Sequence, residues 1–130
     1  MVDPKLVEDW IKKADEDLLY GKSSLEEGLE FYPQICFHFH QAVEKYLKAY
    51  IMAKEQDFQK THDLTKLIQI CAKDDTDFNS LNDLVSELNP YYIETRYPEF
   101  VTSVDRFQTE EALKTAEQIA SKHQLILLNL

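Results

Sequence analysis

The amino-acid sequence predicts an all-α protein, an up-and-down four-helix bundle with one additional short helix. Apolar residues recur at steps of three and four over several long segments, which is the spacing of amphipathic helices. Only two glycines and four prolines occur in 130 residues, too few turn residues for a sandwich or a barrel. No segment has the pattern of a strand, and the length fits one helical domain over residues 1–130.

The first helix begins at Asp3-Pro4, where a carboxylate precedes a proline at the first helical position. Its apolar stripe continues to Leu29, and the sequence predicts a helix end near Glu30. Small residues within the stripe are spaced seven apart, so a neighbouring helix is expected to approach closely at a shallow angle. These residues are Val7, Ala14, Gly21 and Gly28.

The second helix is predicted from about Pro33 to Lys54. At about 100° per residue its apolar side chains form one broad arc, and His38 and His40 flank that arc on opposite sides. The back of the helix carries Phe37, Gln41, Lys48 and Met52. An aromatic residue and a methionine on a polar face indicate a partner surface. The sequence therefore predicts a homodimer with Phe37, Gln41 and Met52 in its interface.

A third helix is predicted from a Thr61 cap to about Lys73, followed by a polar loop. A fourth helix is predicted to begin near Phe78 and to carry Leu81, Leu84, Val85 and Leu88.

Asn89-Pro90 interrupts the fourth helix, because proline disfavours helical backbone at the preceding residue. A short helical piece is predicted over residues 91–97. Thr109 is the predicted cap of the last helix, with Glu110 and Glu111 in its first turn.

The charge balance excludes some functions. The chain has 24 acidic and 14 basic residues, a net charge of −10, which disfavours sequence-independent binding to a phosphate backbone as the main activity. A small local basic site remains compatible with it. The sequence contains neither a signal segment nor an apolar run of membrane-spanning length. Cys36 and Cys71 are isolated, so we expect a cytoplasmic protein with two reduced thiols and no membrane association.

The histidines do not predict a metal site. His38 and His40 lie about 200° apart on a helix and cannot share one ion. We expect His62 to lie at the N-terminus of a helix and His123 to lie in the core. No HExxH or Glu-x-x-His motif occurs. Both glycines fall in the first predicted helix, which excludes a phosphate-binding glycine loop. We therefore predict no metal and no cofactor, and a solvated face for the acidic residues 15–17.

Residues 89–99 form the one unusual segment. They place three tyrosines and one of the two arginines, Arg96, between prolines 90 and 98. An arginine beside tyrosines is able to bind a phosphate and stack on a base. Equally, Arg96 could pair with Glu44, Glu94 or Glu99 while the tyrosines fill the core.

Several segments together resemble the HEPN family, the higher-eukaryote and prokaryote nucleotide-binding domains. The first-helix signature is matched by Trp10-(x3)-Ala14-(x2)-Asp17-Leu18-(x2)-Gly21, and the second-helix motif by residues 36–49. The third-helix opening is matched by Thr61-His62-Asp63-Leu64 with Leu67, and a later motif by Arg96-Tyr97-Pro98. The resemblance covers nearly the whole chain, in the family's order.

The resemblance implies a helical bundle that usually forms homodimers. Many stand-alone members are encoded beside a minimal nucleotidyltransferase, in a toxin–antitoxin or defence module. Others are metal-independent ribonucleases, in which an arginine is followed four to six residues later by a histidine. Arg96 occupies the arginine position here, but the next histidine, His123, is 27 residues further on. Metal-free RNA cleavage needs a group with a near-neutral pKa, so enzymatic activity stays open and is not favoured.

Three interpretations follow for the function. The leading one is a non-catalytic or weakly active subunit that binds a nucleotide or phosphate and partners a minimal nucleotidyltransferase. The second is a divergent ribonuclease toxin that uses Arg96 with Tyr97, His38 or His40 on an RNA ligand. The third is a dimeric scaffold in which Arg96 is structural. The candidate residues for the nucleotide or phosphate site are Arg96, Tyr97, Tyr92, His38 and Lys45, with Arg96 the one catalytic candidate.

Overall fold

In the computed structural model, which describes residues 2–57, 60–94 and 103–127, all regular secondary structure within those ranges is helical. The predicted all-α helical bundle is therefore confirmed. The helices are α1 (Pro4–Glu26), α2 (Tyr32–Ala53), α3 (Leu64–Asp74), a 3-10 helix (Thr76–Leu81), α4 (Asn82–Ser86), α5 (Pro90–Glu94) and α6 (Arg106–Leu127). None of the helices within these ranges has both the length and the hydropathy that crossing a membrane requires.

Helix α2 forms the centre of the bundle. It packs against α1, α3, α5 and α6, and 13 of its 22 residues are buried. Phe39, Tyr46 and Leu47 are among its fully buried side chains. Burying a side chain of this size contributes roughly 1.5–3 kcal/mol, so this helix supplies much of the stability. Polar groups on either flank of α2 are consequently held in fixed positions.

Helix α1 approaches α2 closely, as its small residues predict. Val7, Ala14 and Gly21 are all buried. A Cβ atom added at Gly21 would lie 2.5 Å from a ring carbon of Phe39, which shows how tight the contact is. Glycine at this position allows the Phe39 ring to lie directly against the backbone of α1.

The end of α1 differs from the prediction. The helix ends at Glu26 rather than near Glu30, and Gly28 lies beyond it with φ of +82°. The Gly28 N–H donates to the Leu25 carbonyl and the Leu29 N–H to the Ser24 carbonyl, both at 3.1 Å. This is a Schellman cap, in which glycine adopts the left-handed conformation that other residues disfavour.

The cap of α3 is Asp63 and not Thr61, so the predicted start was wrong by two residues. The Asp63 carboxylate accepts a hydrogen bond from the Thr65 N–H at 3.0 Å. The Thr61 hydroxyl instead accepts from the Asp63 N–H at 3.0 Å and shapes the turn before the helix. Both residue types are good caps, and the one whose oxygen reaches an unpaired helical N–H determines the start.

The cap of α6 was also predicted wrongly. The helix begins at Arg106, and Thr109 is a fully buried residue of its first turn. The Asp105 carboxylate accepts from the Gln108 N–H at 2.8 Å, and the Gln108 side chain accepts from the Asp105 N–H at 3.1 Å. These reciprocal bonds form a capping box, which satisfies two backbone donors at once.

The predicted fourth helix is replaced by the 3-10 helix and the five-residue α4. Phe78, where the helix was expected to begin, lies inside the 3-10 helix and is fully buried. The short helical piece after Asn89 is present as α5, and residues 95–97 of that prediction lie outside the described residues. Helix α5 lies against α2 and brings Tyr92 to the flank of the central helix.

Candidate functional site

Two polar clusters lie on different sides of α2, about 100° apart around the helix, since Glu44 and Lys45 are consecutive residues. Residues four or seven apart share one face of a helix, so the spacing along α2 gives each cluster its own side. The Glu44 cluster consists of Glu44, Lys48, His62 and Tyr92. The Asp17 cluster consists of Asp17, Tyr20, His38 and Lys45.

The Glu44 carboxylate lies between a lysine and a histidine. Its Oε1 is 2.7 Å from Nδ1 of His62, and its Oε2 accepts from Nζ of Lys48 at 3.2 Å. The side chains of Glu44 and Lys48 are only 6% and 9% exposed. Burial of a charge is tolerated only when the charge is paired, and both oxygens here have a partner. The sequence placed Lys48 on the polar back of α2, whereas the structure buries its side chain beside Glu44.

Aromatic rings form a wall beside this ion pair. The ring of Tyr92 stacks on that of His62, with centroids 4.2 Å apart and planes at 17°. Tyr92 also lies 5.5 Å from the ring of His40 and 6.2 Å from that of Phe37. The His62 side chain is 49% exposed, so the stacked pair is accessible from solvent.

His40 contacts these aromatic rings from the buried side. Its side chain is fully buried, and its Nε2–H donates to the backbone carbonyl of His62 at 3.1 Å. Burial lowers the pKa of His40 below its ordinary value, and the nearby Glu44 charge only partly opposes this effect. His40 is therefore a neutral structural residue that fixes the backbone at His62.

A cavity of about 320 Å³ opens against the stacked rings and is lined by His62, Asp63, Asn89 and Tyr92. Asn89 holds its polar edge together: its side-chain oxygen accepts from the Leu64 N–H at 2.8 Å, and its NH₂ donates to Asp63 at 3.1 Å. These bonds join the start of α3 to the residue before α5. The cavity wall is thus built from tertiary hydrogen bonds and not from one helix.

The Asp17 cluster has similar groups in a different setting. Oδ1 of Asp17 lies 3.2 Å from Nδ1 of His38, its Oδ2 forms an ion pair with Lys45, and the Tyr20 ring lies 4.4 Å from that of His38. Burial acts to raise the pKa of Asp17, but hydrogen bonds and charge from His38 and Lys45 outweigh it and lower the pKa. This cluster joins α1 to α2.

The structure therefore separates the residues that the sequence grouped into one site. Tyr92 lies with His40, while His38 and Lys45 lie with Asp17 on the side of α2 next to α1. The Phe37 ring is near both groups, 6.2 Å from the ring of Tyr92 and 5.9 Å from that of His38.

The other predicted residues have varied positions. Gln41 contacts Nδ1 of His40 at 3.4 Å, and Met52 is half-buried against the core. Arg96 and Tyr97 lie outside the described residues. Within the described ranges, no group of three or more histidine, cysteine or acidic side chains is arranged to hold a metal ion.

Sequence reasoning missed His62 and Lys48 as members of a site. One signal was present: a stripe of mixed polar and aromatic residues runs along one face of α2 at helical spacing. It consists of Phe37, Gln41, Glu44 and Lys48. A stripe of this composition beside a fully apolar arc indicates a face covered by polar partners.

Comparisons with known proteins agree with this architecture. The HEPN domain model matches residues 7–125. The crystal structure of TT1696 from Thermus thermophilus is similar, with 28% identity, a TM-score of 0.80, and coverage of 92% of this chain and 97% of that one. The archaeal HEPN homologue ST0689 shares 22% identity with a TM-score of 0.72, over 93% of this chain and 97% of its own. Among curated protein sequences, none matches.

Proposed function

The chain belongs to the HEPN domain family, and from this premise we propose that it is a nucleotide- or phosphate-binding subunit. In this proposal it acts with a minimal nucleotidyltransferase, in a module of the toxin–antitoxin or defence type. The observation that carries the proposal is the cavity beside the stacked rings of His62 and Tyr92.

The chemistry of the cavity suits a nucleobase. A stacked tyrosine and histidine present a planar surface of the kind on which bases stack, and such stacking is worth about 1–3 kcal/mol per base. The cavity volume of about 320 Å³ is at the lower end of small-molecule sites, and Asp63 adds a polar edge. Arg96 and Tyr97 follow Tyr92 closely in sequence and are the proposed phosphate contacts.

Binding is favoured over ribonuclease activity. The sequence lacks the histidine that is expected shortly after Arg96. The two candidates to replace it, His38 and His40, are poorly suited to accept a proton from a substrate hydroxyl. His40 is buried with a lowered pKa, and His38 lies with Asp17, away from the cavity that His62 and Tyr92 line. We therefore expect the purified protein to leave single-stranded RNA intact, and metal-independent cleavage lost in Arg96→Ala would contradict this expectation.

A calorimetric nucleotide titration tests the proposal. Ribonucleoside monophosphates and triphosphates are titrated into the parent, Tyr92→Leu and Tyr20→Leu. Tyr20 is the matched control, because its ring also packs on a histidine but outside the proposed site. We expect Tyr92→Leu to weaken binding about tenfold or more, from the loss of stacking, and Tyr20→Leu to leave it unchanged. Equal losses in both variants, or no binding by the parent, would refute the site.

The assembly is a separate part of the proposal. We propose a homodimer with Phe37, Gln41 and Met52 at its interface, and light scattering at micromolar concentration should give twice the 15.3 kDa chain mass. Phe37→Asp should shift the mass towards the monomer, whereas Phe107→Asp, at a phenylalanine that is 67% exposed, should not. For the second partner, co-expression with a nucleotidyltransferase encoded next to this chain should yield one co-purifying complex.

A further inference from the structure

His62 has one ring nitrogen held and the other turned outward. Its Nδ1 is bound to the buried Glu44 carboxylate, so Nε2 lies on the opposite, exposed side of the ring. We propose that His62 is a nucleophilic histidine that accepts a phosphoryl group at Nε2 from a small phosphoryl donor. This inference does not depend on the proposed nucleotide binding.

The hydrogen bond to Glu44 determines the reactive form of the ring. A carboxylate only accepts, so in the neutral imidazole the proton is assigned to Nδ1 and the lone pair to Nε2. A carboxylate on the far nitrogen also increases the electron density of the ring, as it does for histidines that bind metals. A neutral imidazole with an accessible lone pair is the form that attacks an electrophile.

The surroundings prevent the ring from turning. Lys48 donates to the second oxygen of Glu44, which favours the orientation in which the first oxygen faces His62. Tyr92 stacks on one face of the His62 ring, and His40 donates a hydrogen bond to the backbone carbonyl of His62. The nucleophile is therefore preorganised by groups from α2 and α5.

The outward nitrogen is also accessible. The His62 side chain is 49% exposed and lines the cavity, and its Nε2 makes no hydrogen bond within the described part of the chain. His38 provides the internal contrast. It is 31% exposed, and its contact with Asp17 is longer, at 3.2 Å against 2.7 Å between His62 and Glu44.

The step balances with phosphoramidate as the donor. The Nε2 lone pair attacks phosphorus and an N–P bond forms. The P–N bond of the donor breaks, and because the donor nitrogen is already protonated in zwitterionic phosphoramidate, it leaves as neutral ammonia. The proton on Nδ1 stays in the hydrogen bond to Glu44 throughout. No atom is oxidised or reduced, and no metal ion or second substrate is required.

The test is timed labelling of the parent with phosphoramidate, followed by peptide mass spectrometry that assigns the phosphoryl group to each histidine. We expect His62 to be labelled at least about tenfold faster than His38, because its contact with the supporting carboxylate is shorter and its ring is more exposed. His62→Gln should abolish that fast label and leave the slow label on His38 unchanged. Labelling of His38 at the same rate or faster, or no label on His62, would overturn the proposal.

A second variant tests the role of Glu44. Glu44→Asp keeps the charge but moves the carboxylate away from His62, and should slow His62 labelling about tenfold while His38 serves as the reference within the same molecule. An unchanged rate in folded Glu44→Asp would refute activation by Glu44. If this variant does not fold, the ratio of the two rates in the parent decides the question by itself. The result of the nucleotide titration with Tyr92→Leu does not depend on whether His62 accepts a phosphoryl group.

Discussion

The Asp17 cluster and the Glu44 cluster contain the same four kinds of group in different settings. Each has a carboxylate between a lysine and a histidine, and each histidine packs on a tyrosine. The Asp17 groups come from two long helices packed side by side. The Glu44 groups come from α2, the segment before α3, and α5. The same kinds of side chain therefore join two helices in the Asp17 cluster and border an open cavity in the Glu44 cluster.

Burial distinguishes the two carboxylates. The Glu44 side chain is 6% exposed and that of its lysine 9%, against 17% for Asp17 and 26% for Lys45. The histidines show the opposite order, since His62 is 49% exposed and His38 only 31%. The Glu44 cluster thus has the more deeply buried ion pair and the more accessible ring. A buried ion pair that orients an exposed histidine ring is the arrangement expected for a reactive histidine.

The largest predicted effect is a difference in stability loss when the carboxylate of each ion pair is neutralised. Glu44→Gln leaves the Lys48 ammonium buried without its counter-charge, which should cost about 3–5 kcal/mol. For a domain of this size the melting temperature should fall by roughly 10–20 °C. Asp17→Asn leaves a more exposed lysine and should cost no more than about 2 kcal/mol. Thermal melts followed by circular dichroism measure both, and equal losses would contradict the difference in burial.

The next effect tests the packing role of the Asp17 flank. Gly21→Ala places a methyl group against the Phe39 ring, at 2.5 Å without relaxation. Overpacking of this kind costs about 1–3 kcal/mol and exceeds the helix-propensity gain of about 1 kcal/mol. We expect a net loss of about 1–2 kcal/mol in chemical denaturation. A stabilised Gly21→Ala protein would show that α1 and α2 do not meet so closely.

The pH dependence of stability tests the burial of His40. Unfolded His40 titrates near its ordinary pKa of about 6.5, whereas burial lowers the pKa in the folded protein. The unfolded state therefore binds more protons just below that value, and the free energy of unfolding should fall as pH drops below about 6.5. His40→Gln should flatten the slope of this free energy between about pH 5 and 7. An unchanged slope in His40→Gln would contradict the burial of a neutral ring.

A smaller effect is expected at Asp17, at lower pH. Its folded pKa is lowered, so its contribution to stability is complete above the unfolded pKa of about 3.9 and is lost as pH falls through the folded value. Asp17→Asn should remove this acid-side loss, measured as the difference between urea midpoints at neutral and acidic pH. The same acid sensitivity in parent and variant would show that Asp17 is not the group responsible.

The long helices were predictable because their signal is repeated. Each turn of α1 and α2 presents an apolar residue to the core, so errors at single positions do not change the conclusion. The helix ends were less predictable because they depend on one bond each. Thr61 and Asp63 are both competent caps, and only the path of the chain decides which oxygen reaches the Thr65 N–H.

The candidate site was only partly predictable for a similar reason. Tyr92 was identified from its composition, but its contact with His62 joins residues 30 positions apart and has no local signature. His38 and Lys45 were grouped with it as polar residues of α2, although their seven-residue spacing places them on the flank next to α1. The burial of Lys48 could not be deduced, since a lysine on a polar stripe is usually solvated.

Nitrogen-15 NMR of the histidine rings during a nucleotide titration tests whether the Glu44 cluster is a ligand site and the Asp17 cluster is structural. We predict that the His62 resonance shifts as nucleotide is added, that His40 follows because it binds the His62 carbonyl, and that His38 stays fixed. A shift of His38 with His62 unchanged would place the ligand on the other flank of α2 and contradict the account.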